Sequence, residues 1–125
     1  MAERLWLDDR RKPPWGYSLW AKTADEAIEM LRAHKVEHCS LDHDLAEEHY
    51  EPTPTGYMPP PPLDRSKYKE KTGYAVLEWM AANREWVLDI SIHTLSERGG
   101  DDMELLIERE APNEVKSRRV KPYSV

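Results

Sequence analysis

The 125-residue sequence has no phenylalanine, a single cysteine and only five glycines. With Cys39 alone there is no internal disulfide. Its place in an apolar segment reads as a small buried hydrophobe, and the cysteine usage fits a cytosolic setting. No apolar run approaches the roughly 18–20 residues of a membrane span, and Met1-Ala2-Glu3-Arg4 does not open a signal peptide. A cytoplasmic protein without membrane contact is therefore expected. Positive charge is also short, since 18 Lys and Arg against 24 Asp and Glu leave a formal net charge of −6. Broad nucleic-acid binding needs a basic stripe and is not expected. A small phosphorylated ligand held through a metal ion is compatible with the acidity.

The length suits one domain over residues 1–125 with a real core. Arg4-Leu5-Trp6-Leu7 reads as a short buried strand ended by Asp8-Asp9, and Pro13, Pro14 and Gly16 make the next residues a loop. Ser18 to Ala21 is a second strand. Thr23-Ala24-Asp25-Glu26 is a capping box, and Ala24, Ala27, Ile28 and Leu31 share one face of a helix over 24–34. Val36 to Leu41 is the next strand. Residues 47–71 form a Pro-rich insertion (Pro52, Pro54 and Pro59 to Pro62), which excludes a central strand or a continuous helix. Such a loop is a functional cover, a docking segment for a protein partner, or unstructured. Thr72 is the expected cap of a helix with Gly73, Val76, Leu77 and Met80 inward. Val87 to Ile92 is a strand, Gly99-Gly100-Asp101 precedes a third helix, and the tail from Pro112 holds one edge strand near Val115 or Val120. Strands alternating with helices predict an open parallel α/β sheet.

In such sheets ligands sit beyond the carboxyl ends of the strands, at a topological switch point. Three strand ends carry chemistry here: Asp8 and Asp9, then Asp42, His43 and Asp44 within Ser40-Leu41-Asp42-His43-Asp44-Leu45, then His93. If the first and third strands are neighbours, up to four carboxylates converge, and like charges that close raise each other's pKa unless a cation intervenes. The expected metal ligands are Asp8, Asp9, Asp42 and Asp44. Oxygen donors favour Mg²⁺, Ca²⁺ or Mn²⁺, and a coordinating His43 or His93 brings in Mn²⁺, Fe²⁺ or Zn²⁺. Mg²⁺ or Mn²⁺ is the leading cofactor. Arg10, Arg11 and Lys12 supply nearby positive charge, and because Arg is the better bidentate partner for phosphate, Arg10 and Arg11 are the expected phosphate-binding residues. His43 and His93 are the candidate catalytic acid and base, one deprotonating water while the other protonates a leaving oxygen. The same residues also have plain readings: Asp8-Asp9 as a turn, the histidines as satisfied polar groups, Arg10-Arg11-Lys12 as a solvated loop. His34, His38 and His49 show no spacing that suggests a site.

Leu7-Asp8-Asp9-Arg10-Arg11-Lys12-Pro13-Pro14, the hexapeptide at 40–45, Thr72-Gly73-Tyr74 and the late His93 together resemble the cyclic-phosphate-processing receiver-like domain family, over roughly residues 4–107. The resemblance implies the receiver fold, a flavodoxin-like three-layer α/β/α arrangement, here with a longer insertion. It also implies an acidic pocket of Asp8, Asp9, Asp42 and Asp44, with Arg11, His43 and His93 as further motif positions. The family's last motif, His-Ser-x-Asn-Pro-x-Gly-x-x-Asn-Met, departs here to His93-Thr94-Leu95-Ser96-Glu97-Arg98-Gly99-Gly100-Asp101-Asp102-Met103. The expected function is a metal-assisted phosphoesterase acting on a cyclic phosphate or a phosphorylated nucleotide end. The alternatives are a non-enzymatic module that binds a protein partner through 47–71, or one that sequesters a nucleotide.

Overall fold

The computed structural model describes residues 2–50 and 64–121. Pro52, Pro54, Tyr57 and Pro59 to Pro62 of the insertion lie outside the described residues. Five strands, β1 (Glu3–Leu7), β2 (Leu19–Ala21), β3 (Val36–Leu41), β4 (Asp89–Ile92) and β5 (Lys116–Arg119), alternate with α1 (Ala24–Ala33), α2 (Tyr74–Asn83) and α3 (Glu97–Glu110). They form one sheet in the order β2-β1-β3-β4-β5. Every pairing is parallel. The flavodoxin-like order places β1 beside β3, as the convergence of the two acidic clusters requires.

The period-2 alternation of the strands separates two unlike faces. Leu5, Leu7, Cys39, Leu41, Ile90 and Ile92 are fully buried and share one core with Ala27 of α1, Leu77 and Met80 of α2, and Met103 of α3. All three helices therefore lie on this face. The chain steps from β2 to β3, β4 and β5 in one direction along the sheet, so a common right-handed crossover puts α1, α2 and α3 on one side. The step from β1 to β2 runs the other way and must cross the opposite face. That connection, residues 8–18, contains no helix, so the second cover layer is an irregular segment.

The face it covers is polar. Trp20, Trp6, Ser40, Ser91 and Arg118 lie in register across the five strands. The loop is fixed to this face by indole and imidazole hydrogen bonds. Trp6 Nε1–H donates to the Arg11 carbonyl and Trp20 Nε1–H to that of Asp8, both at 2.8 Å. Buried His38 bonds the Tyr17 hydroxyl at 2.8 Å and Asp89 at 2.9 Å. His38 thus anchors the loop.

Three local expectations shift. Thr72 is not the cap of α2. The N-cap is Gly73, with no side-chain cap bond, because its N–H donates to the His43 carbonyl at 2.9 Å and so finds a tertiary partner. Gly99 and Gly100 do not precede α3 but lie inside it. Ser96 is its N-cap and accepts the Gly99 N–H at 3.0 Å. A Cβ at 99 would collide with the buried His43 ring, so Gly99 answers to packing rather than to helix ending, while one at 100 would meet only the flexible end of the Arg119 side chain. The tail strand falls between the two valines, at Lys116–Arg119, on the sheet edge. The helix expected over 24–34 ends at Ala33, with Thr23 capping as anticipated. No helix among the described residues is long and apolar enough to cross a membrane.

Gly73 offers a direct test of how α2 meets the β3 end. A Cβ there would run into the Asp42 carbonyl oxygen, whereas alanine in an unobstructed helical position would be favoured by about 0.5–1 kcal/mol. Gly73→Ala is expected to destabilise the fold by a net of roughly 1–3 kcal/mol, seen as a lower urea midpoint with m unchanged. An equal or higher midpoint contradicts this close approach.

Candidate functional site

Asp8 and Asp42 follow directly on β1 and β3, and His93 follows β4. The Asp42 N–H donates to the Leu7 carbonyl and the His93 N–H to the Leu41 carbonyl, both at 3.0 Å, so the three residues continue the ladder past its last paired residues. Each offers one ligand atom, and these atoms lie within 4.8 Å of one another. All three are buried, Asp8 and His93 completely.

Asp8 is the most heavily bonded of the set. Its Oδ1 accepts the N–H groups of Arg10 and Arg11, each at 2.8 Å, which folds the chain back after β1. Its Oδ2 faces His93 Nε2 at 3.1 Å. Arg11 Nη1 stands 3.4 Å from Asp8 Oδ2 and 3.7 Å from Asp42 Oδ2, a guanidinium between two carboxylates. His93 Nδ1 is 2.7 Å from the Ser40 hydroxyl, and its ring stacks flat on Trp6 at 3.9 Å between centroids. Trp6 in turn donates to the Arg11 carbonyl, so one indole positions both the imidazole and the arginine loop.

The electrostatics of the two carboxylates diverge. Burial opposes ionisation of Asp8, but the His93 hydrogen bond and the two backbone amides outweigh it and hold its pKa below the ordinary value. Asp42 lacks that support. Burial, then the charge on Asp8 and more weakly that on Asp44, pushes it up to about 7, against the Thr94 hydroxyl and Arg11. Burial also lowers the pKa of His93, against the pull of Asp8, so the ring is neutral at pH 7. Asp9 is raised by burial and by Asp8, and its Oδ1 is buried with no hydrogen-bond partner.

Not every residue singled out in the sequence converges on this cluster. Asp8, Asp42, His93 and Arg11 do. Asp9 stands beside it with Arg10, whose guanidinium lies 4.4 Å from the Tyr50 ring centroid. Asp44 reaches Asp42 through its N–H, at 3.4 Å from Asp42 Oδ1, but its side chain pairs with His43 Nδ1 at 2.7 Å. His43 itself engages Asp44, Arg65 and the Gly99 backbone. Trp6, Thr94, Tyr50 and Arg65 also contribute here without having been marked as site residues. The alternation Leu5-Trp6-Leu7-Asp8 could have identified Trp6, since it shares a strand face with Asp8. Arg65, 22 positions beyond His43, carries no such signal.

The raised pKa of Asp42 has a definite sign in stability. The unfolded carboxylate ionises near 3.8 and the native one near 7. Native Asp42 therefore binds its proton more tightly, and its contribution to stability is lost as pH rises through that window. In chelator-treated buffer, Asp42→Asn is expected to match the wild type near pH 4 and exceed it above pH 7. The upper limit of that gain is on the order of 4 kcal/mol. Parallel denaturation curves at every pH would contradict the buried repulsion.

No curated protein matches the chain. A family model described as the cyclic-phosphate processing receiver domain matches residues 3–109, which takes in all three strand ends that build the cluster. The five-stranded parallel sheet, its order and this match agree, and the chain belongs to the cyclic-phosphate processing receiver domain family.

Proposed function

We propose that this edge is a metal-assisted phosphoesterase site that binds a cyclic phosphate, or the phosphorylated end of a nucleotide, through a divalent cation. The observation that carries the reading is the surplus of buried negative charge. Asp8 and Asp42 lie together at adjacent strand ends with Asp9 and Asp44 beside them, and Arg11 is the one guanidinium within 4.0 Å of both Asp8 and Asp42 among the described residues. The partnerless Asp9 Oδ1 and the raised pKa of Asp42 are both features that a cation would relieve.

Asp8, Asp42 and His93 would hold the ion, with Asp9 and Asp44 adding charge around them. The mixed oxygen and nitrogen donors suit Mn²⁺ and admit Mg²⁺. The bound ion would polarise a phosphoryl oxygen and offset its charge. Ser40 accepts as well as donates, so His93 can carry its proton on Nδ1 and present Nε2. Arg11 supplies the cationic donor for a phosphoryl oxygen, and Arg10 stands with Tyr50 beside Asp9. Hydrolysis adds the oxygen of water to phosphorus and delivers its proton to the leaving oxygen as one P–O bond opens. With Nε2 given to the ion and Nδ1 to Ser40, His93 would act as a ligand rather than as the proton carrier, and His43 is engaged by Asp44 and Arg65.

One observation favours binding without turnover. His43 and His93 are both buried, and each has both ring nitrogens within hydrogen-bond distance of a partner. A module that sequesters the phosphorylated ligand needs no mobile proton. Docking of a protein partner on the insertion would involve residues 51–63, outside the described residues.

Calorimetric titration with Mn²⁺ and Mg²⁺, followed by ³¹P NMR of cyclic nucleotides mixed with the loaded protein, separates these readings. The expected result is saturable Mn²⁺ binding and ring opening to a monoester, both reduced by at least about tenfold in Asp42→Asn. Binding without ring opening selects sequestration. No metal binding removes both.

A further inference from the structure

We infer that Arg65, delivered from the far end of the insertion, is a positioning residue for the acidic edge, fixing the tautomer of His43 and thereby the orientation of Asp44. The inference rests on the reading of that edge as the ligand-binding site. Arg65 begins a short 3₁₀ turn, Arg65–Lys67. Its Nε donates to His43 Nε2 at 3.1 Å, and its Nη2 pairs with Asp102 at 2.8 Å. Its guanidinium carbon lies 4.1 Å from the Tyr74 ring centroid. The partners come from the loop after β3, from α3 and from α2, so the plane and the direction of the fork are both fixed.

The logic then follows from donors and acceptors. A guanidinium carries only donors, so the His43 nitrogen facing it must be an acceptor. The ring proton therefore sits on Nδ1, where it is donated to Asp44 Oδ1 at 2.7 Å. The opposite tautomer would set an Nε2–H against the guanidinium and an Nδ1 lone pair against the carboxylate, which is unfavourable at both ends. The ring is also barred from swinging away on the side of α3, because even a Cβ at Gly99 would overlap it. What is left to choose is the site of one proton, which Arg65 and Asp44 set from opposite ends of the ring. Asp44 is held in consequence, in a loop whose next contact inward is its own N–H on Asp42 Oδ1 at 3.4 Å. The chain Arg65–His43–Asp44 thus runs from the returning end of the insertion to the cluster of Asp8, Asp42 and His93.

This account is tested on the full chain with ¹⁵N-labelled histidine, by long-range ¹H–¹⁵N NMR at pH 8, and by Mn²⁺ titration. Arg65→Met removes the donor that faces His43 Nε2. Asp102→Asn leaves the His43 contact in place while loosening the guanidinium. The wild type is expected to show His43 as the Nδ1–H tautomer. Arg65→Met is expected to shift it toward Nε2–H and to weaken Mn²⁺ binding by about tenfold, and Asp102→Asn to shift it in the same direction by less. An Nε2–H tautomer in the wild type, or the wild-type tautomer in both variants, overturns the inference. A wild type that binds no Mn²⁺ overturns the proposed function instead, and the tautomer readout still decides the role of Arg65.

Discussion

Two carboxylates from adjacent parallel strands, Asp8 after β1 and Asp42 after β3, are buried beside each other, and the rest of the edge is arranged around their repulsion. Both cannot be comfortably ionised at that distance from solvent. The chain resolves the conflict unequally. Asp8 receives two backbone amides and the imidazole of His93, which keep it charged, while Asp42 is pushed up to about 7. Arg11 stands between them from a loop that the Asp8 carboxylate itself folds. One group therefore organises both its own counter-charge and its neighbour's discomfort.

That arrangement depends on an unusual division of the sheet. One face is the apolar core against three helices, and the other is a polar surface covered by residues 8–18. A helix in that connection would bury an apolar stripe there and would need apolar strand residues opposite it. Ser40, Ser91 and His38 instead occupy the face, all buried. Indole and phenol groups, each with an apolar body and a polar tip, suit such a cover. Trp6 stacks on His93 while its N–H holds Arg11, and Tyr17 caps His38. The complete lack of phenylalanine agrees with a chain whose aromatics are needed for both properties.

Much of this is legible in the sequence alone. Short apolar runs ended by Asp8-Asp9, by Asp42-His43-Asp44 and by His93 marked the strand ends, because strand periodicity and charge are both local. The Thr23 cap was legible for the same reason, although Glu26 accepts from the Lys22 N–H rather than from that of Thr23. Thr72 and Gly99-Gly100 misled because their roles are set by distant groups: Gly73 donates to the His43 carbonyl, and Gly99 admits the His43 ring. Where the family's last motif ends in Asn-Met, this chain has Asp102-Met103, and that acidic residue pairs with Arg65 of the insertion. A departure that looked isolated along the sequence thus has a partner 37 positions away. No periodicity reports such a pair.

The divalent-cation site proposed at Asp8, Asp42 and His93 has a spectroscopic signature. Pulsed EPR of the Mn²⁺-loaded protein reads it most directly, because the ion reports any nitrogen bonded to it. One ¹⁴N imidazole coupling is expected, retained in His43→Gln and lost in His93→Gln. Bound Mn²⁺ with no nitrogen coupling, or a coupling that survives in His93→Gln, would contradict it.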